Sequence, residues 1–151
     1  IPLIVTYGTK KAKQGLRGDL NEEYIKRFPI IENIINQITT FDDCLWLAVA
    51  KVSPNGGNIS RHSDKGIDKM NAGIQIGKTA RIHYVLKSNP EAYFQLQDLQ
   101  GNTHRYTMKQ GEYWYMDKRK PHAVYNKGDT FRYHMIFDMK VTQDLWDHLI
   151  L

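Results

Sequence analysis

In the stretch Arg61-His62-Ser63-Asp64 an imidazole and a carboxylate stand two residues apart. On an extended backbone that spacing turns both side chains to one face. A second imidazole, His122, follows Pro121 much further along and can reach the same face from another strand. Two histidines and one carboxylate on one side of a metal leave three adjacent coordination positions open, which suits non-haem Fe(II). A 2-oxo acid can take two of them through its 1-carboxylate and keto oxygen, and dioxygen can take the third. His62, Asp64 and His122 are therefore the candidate metal ligands. A His-x-Asp pair also arises by chance, so the case rests on its surroundings.

Arg132 follows His122 by ten residues, with the turn signal Asn126-Lys127-Gly128-Asp129 between them. Read as a hairpin with a three-residue loop, this sets positions 122 and 132 opposite each other, Cα atoms about 5 Å apart. The run 131–138 is too apolar for an edge strand lying wholly in water. An arginine buried there needs an anion, and the far carboxylate of 2-oxoglutarate, gripped by two parallel N–H···O bonds, is favoured over an internal Asp or Glu. In 80–86, Arg81 and His83 share one strand face while Ile82 and Tyr84 share the other. His83 could donate a second bond to that carboxylate, or be a core histidine bonded to a backbone carbonyl. Arg81 could join it in holding the cosubstrate, or meet the substrate. His134 shares the face of Arg132 and reads equally as pocket lining or as core. His104 and His148 read as surface residues, and Tyr113, Trp114 and Tyr115 as packing.

Taken in order, His62-x-Asp64, Arg81-x-His83, Gly111-Glu112-x-Trp114 followed by Asp117, and His122 with Asn126, Gly128 and Arg132 form a specific set. The set resembles the aspartyl/asparaginyl β-hydroxylase family of 2-oxoglutarate-dependent oxygenases. The resemblance runs from His62 to Asp138, about half the chain. It implies a double-stranded β-helix (cupin-like jelly roll), iron held by His62 and His122, and 2-oxoglutarate held by Arg132 with His83. Some members acting on protein domains have no carboxylate at the position of Asp64, whereas the family's free-amino-acid prolyl hydroxylases do. The complete triad here tilts the expectation towards a small amino acid over a protein substrate.

These residues must be positioned by the rest of the chain. Over 21–40, Tyr24, Phe28, Ile31, Ile34, Ile35 and Ile38 recur at the three- and four-residue spacing of one buried helical face. Pro29 falls inside this run and predicts a break or kink near Arg27 or Phe28. Beyond Asp43 the pattern becomes short stretches rich in Val, Ile, Tyr, Phe and Trp. Candidate strands are 45–53, 58–62, 72–76, 80–87, 92–98, 103–109, 112–116, 121–126 and 130–139, separated by Gly, Pro, Asn and Asp turn signals. Many short strands behind a helical N-terminal part predict a mainly β sandwich or barrel, closed by a short helix at 142–150. Segments 10–20 and 54–72, rich in Gly and Lys, read as mobile lids that set specificity.

The 151 residues carry no internal repeat or linker and are read as a single domain, 1–151. One cysteine, Cys44, excludes an intrachain disulfide and a multi-cysteine zinc site, which points to a reducing, cytoplasmic setting. No apolar run reaches the length of a membrane span, and the opening Ile-Pro-Leu-Ile-Val does not read as a signal peptide. A net charge of +5 is spread along the chain without a stacking motif, so nucleic acid is not expected as a partner. The basic group Lys118, Arg119 and Lys120, just before His122, could steer small dianions to the site. The expected reaction is hydroxylation of an unactivated C–H of an amino acid, free or as an Asp or Asn residue in a peptide. The rival readings are a cupin-type metalloenzyme that uses no 2-oxo acid and a non-catalytic ligand-binding cupin domain.

Overall fold

The computed structural model describes residues 4–5, 19–20, 27–64, 74–117 and 119–149. Two short strands, β1 (Ile4–Val5) and β2 (Asp19–Leu20), form a two-residue antiparallel ladder. Helix α1 covers Ile30–Asn36. Pro29 sits at its N-cap instead of kinking it, because a missing N–H costs nothing at the first turn. Ile31, Ile34, Ile35 and Ile38 are buried as the periodicity predicts, but Phe28 lies before the helix and is 49% exposed. Tyr24 lies outside the described residues.

Eight strands then build the body: β3 (Cys44–Val52), β4 (Gly57–His62), β5 (Thr79–Lys87), β6 (Ala92–Gln97), β7 (Thr103–Tyr106), β8 (Tyr113–Met116), β9 (His122–Asn126) and β10 (Arg132–Lys140). They form two four-stranded antiparallel sheets, ordered β3-β10-β5-β8 and β4-β9-β6-β7. Consecutive strands lie in opposite sheets at every step except β6–β7. That strand order is a jelly roll, the double-stranded β-helix of cupins. The expected strand at 72–76 does not form: 74–76 are loop and turn, and 72–73 lie outside the described residues. Within the lid expected at 54–72, residues 54–56 are a turn and Gly57–His62 is strand β4.

Each sheet sorts its residues by parity. On the outer face of the first sheet, Leu47, Ile82, Met135, Phe137 and Met139 pack against Ile31, Ile34 and Ile35 of α1 and Leu145 of α2 (Gln143–His148). Complete burial of a side chain such as Phe137 contributes about 2–3 kcal/mol. Thr142 caps α2 by accepting a bond from the Leu145 N–H. Between the sheets Val52, Val85, Phe94, Met108, Met116 and Val124 form a second, smaller core.

The turn signal between β9 and β10 does not close a hairpin, because those strands belong to different sheets. His122 and Arg132 are therefore not cross-strand neighbours. Turn composition marks where the chain reverses but not which sheet it re-enters. The crossover is fixed by Asn126, fully buried, whose Nδ2 donates to Thr130 O at 2.8 Å and Val52 O at 3.3 Å. Its Oδ1 accepts from Asn89 Nδ2 at 2.9 Å. Gly128 is needed beside it, since a Cβ there would come within 2.2 Å of Asn89 Oδ1. The β3–β4 turn joins the same knot through Asn55 N–H to Gly128 O and Gly56 N–H to Asn126 O, both 2.8 Å. Asn126→Ala strands buried partners in three crossovers and should cost about 1–3 kcal/mol. Urea unfolding should show this as a lower midpoint at unchanged slope.

Candidate active site

Strand β4 carries a bulge. Ile59 pairs with Val124 and His62 with His122, so three residues of β4 span what two of β9 span. The extra residue reverses parity and turns His62 to the same inward face as Ile59. His62 and His122 then stand directly opposite, ring centroids 4.3 Å apart. Each Nδ1 meets a backbone carbonyl two residues upstream: Ser60 O at 2.7 Å for His62 and Lys120 O at 2.9 Å for His122. A carbonyl can only accept, so Nδ1 carries the proton and the Nε2 lone pairs are left as ligand atoms. Asp64 Oδ1 lies 3.3 Å from His62 Nε2 and 4.0 Å from His122 Nε2. The three ligand atoms fall within 4.8 Å of one another. A metal about 2.1 Å from two adjacent ligands holds them about 3 Å apart, so the cluster fits one ion.

The site is graded from outside to inside. The His62 side chain is 42% exposed and that of His122 only 10%. His122 stacks on Phe94 at 5.3 Å, and burial lowers its pKa, favouring the neutral form a ligand needs. Behind Phe94 lies His83, ring centroids 6.0 Å apart, and behind His83 lies His134 at 5.9 Å. His134 Nδ1 accepts from Arg132 Nη2 at 2.9 Å.

Arg132 is 2% exposed, and among the described residues no carboxylate pairs with it. Burial pulls its pKa down to about 10, so it remains a cation at neutral pH. His83, pushed down to about 3 by burial and by the charges of Arg132 and Arg81, is neutral. His134 is likewise neutral, pushed down to about 2 by burial and by Arg132 and His83. Because Arg132 donates to its Nδ1, His134 holds its proton on Nε2. That Nε2 and the Nδ1 of His83 are buried without a partner among the described residues. A cation and two unsatisfied imidazole nitrogens therefore line the interior behind the triad, an arrangement able to receive an anion.

Arg81 is engaged by two carboxylates of the protein. Its Nε and Nη2 donate to Asp138 at 2.7 and 2.8 Å, and its Nη1 donates to Asp64. Burial opposes its charge, but Asp138 and Asp64 outweigh this and raise its pKa. Asp138 escaped the sequence reading, although it shares the alternate-residue face of Arg132 and His134. His104, bonded to Asp98, and His148 are exposed, as expected. Tyr113 and Tyr115 pack on the outer core and Trp114 against the inner one.

A double-stranded β-helix whose mouth gathers two imidazoles and a carboxylate defines the class, a cupin-type fold with a candidate metal site. The family model for aspartyl/asparaginyl β-hydroxylases matches residues 11–141, and the chain belongs to that family. Comparison with curated proteins gives no match. Among solved structures, the Drosophila melanogaster CENP-C cumin domain aligns with 61% of this chain and 56% of its own, at 11% identity and TM-score 0.44. This chain thus spans just over half of that domain's length. A predicted oxalate decarboxylase of Thermotoga maritima aligns over 66% and 70% of the two chains at 19% identity and TM-score 0.42. A cupin domain of Bordetella pertussis Tohama I aligns over 64% and 81% at 14% identity and TM-score 0.43.

The two buried imidazoles link stability to pH. Each has a native pKa below the ordinary 6.5. Between those values the unfolded chain binds more protons than the native one, so stability rises with pH. The penalty is absent above pH 6.5 and accumulates on acidification, with a slope of up to about 1.4 kcal/mol per pH unit for each histidine. Chemical unfolding at pH 7, 6 and 5 should show this fall, and His134→Gln should remove its own share of the slope.

Proposed function

We propose that this chain is an Fe(II)- and 2-oxoglutarate-dependent dioxygenase that hydroxylates an unactivated C–H of an amino acid. The observation that carries the reading is Arg132, a cation inside the barrel with no carboxylate partner among the described residues. An internal charge left without an anion is strongly unfavourable, and a dicarboxylate cosubstrate answers it. The orphaned nitrogens of His83 and His134 would add donors to the same carboxylate. His62, Asp64 and His122 would hold the metal, and their mixed N and O donor set suits Fe(II).

When bound, the metal supplies the oxidising chemistry of dioxygen at the expense of the 2-oxo acid, which leaves as succinate and carbon dioxide. The protein supplies orientation and exclusion of water. His62 and His122 present Nε2 because their own strands hold Nδ1. Phe94 stacks on His122 and meets the His83 ring edge-on, so an apolar ring stands between the two imidazoles. Arg132 would hold the far carboxylate of the cosubstrate, while its 2-oxo end would be left for the metal. The substrate class follows the presence of Asp64 together with family membership: an amino acid, free or as an Asp or Asn residue in a peptide.

Under anaerobic conditions Fe(II) with 2-oxoglutarate should give a weak visible charge-transfer band. Arg132→Ala should weaken 2-oxoglutarate binding by at least about thirty-fold, the cost of removing one partner of a buried charge pair. Full affinity in that variant rejects the anchoring role. Succinate release screened across free amino acids and short Asp- or Asn-containing peptides identifies the substrate, and oxygenation without succinate indicates a cupin enzyme of another kind.

A further inference from the structure

Asp64 lies beyond the last ladder position of its strand, since β4 ends at His62. Its carboxylate needs another anchor, and that anchor is Arg81. Arg81, Asp138 and Trp46 are register partners on the neighbouring strands β5, β10 and β3. The guanidinium grips both oxygens of Asp138 and lies over the Trp46 ring, Cζ 5.0 Å from its centroid. Its plane is thereby fixed from two directions, and its remaining Nη1 donates to Oδ2 of Asp64. The other oxygen, Oδ1, faces His62 Nε2 and His122 Nε2.

We propose that Arg81, clamped by Asp138 and Trp46, is a positioning residue that occupies Oδ2 of Asp64 so that only Oδ1 is offered to a divalent metal. The inference rests on the reading of His62, Asp64 and His122 as metal ligands. It separates two arginines of one barrel by task. Arg132 awaits an anion, whereas Arg81 has two and acts through the ligand it holds. A carboxylate fixed through one oxygen takes one coordination position and leaves its neighbour open for other ligands.

Co(II) alone, titrated into the metal-free protein and followed by calorimetry and its visible d–d bands, tests this without turnover. Arg81→Gln, Arg81→Lys, Asp138→Asn and the Arg81→Gln/Asp138→Asn double variant should each weaken binding by about ten- to a hundred-fold. The double variant should lose no more than either single change, because the pair acts as a unit. The d–d bands should also change, since Asp64 becomes free to coordinate differently. A role through charge alone gives another pattern and overturns the proposal: Arg81→Gln tightens Co(II) binding, Asp138→Asn loosens it, and the double variant returns to wild type. Asp64→Ala is the reference. If it weakens Co(II) while the Arg81 and Asp138 variants do not, only the positioning role fails; if it too binds normally, the metal reading itself fails. Thermal melting checks each variant's fold, and Arg81→Lys with Asp138→Asn carries the comparison should Arg81→Gln not fold.

Discussion

A β-strand offers its side chains two directions, and between two facing sheets one of those directions is shut off from water. Any polar group sent that way must be answered from within or by a ligand. Here the inward positions of β5 and β10 carry Arg81, His83, Arg132, His134 and Asp138, and β9 contributes His122 and Asn126. The barrel answers some of them and leaves others waiting. Asn126 satisfies three crossovers at one end, and Arg81 meets two carboxylates at the other.

The uneven answering of charge gives the interior its direction. At the mouth the carboxylates of Asp64 and Asp138 both reach one guanidinium, that of Arg81. Deeper in, Arg132 stands beside neutral imidazoles and, among the described residues, pairs with no carboxylate, a setting suited to an anion. A metal ion and a dicarboxylate would each find the opposite sign where they need it. Phe94 and Val85, both buried, belong to the apolar core between the sheets.

Much of this was readable in the residues. The shared face of Arg132 and His134 and the isoleucine stripe of α1 follow from periods of two and 3.6. Three features were not. The bulge in β4 adds one residue against β9, and nothing in Ser60 or Arg61 announces it. The sequence 126–129 suits a hairpin as well as a crossover, so the distance inferred between His122 and Arg132 did not follow from it. The role of Asp138 is hidden in the sequence because its partner, Arg81, lies 57 positions away and becomes a neighbour only through strand pairing.

Both ligand imidazoles are oriented by main-chain oxygens, those of Ser60 and Lys120. Their tautomers are therefore set by strand shape, with no dedicated side chain required. The identities at 60 and 120 are free to drift in evolution without disturbing the ligands. The local backbone path is not: an insertion or deletion between Ile59 and His62 would rotate one ring out of reach while every ligand residue was still present.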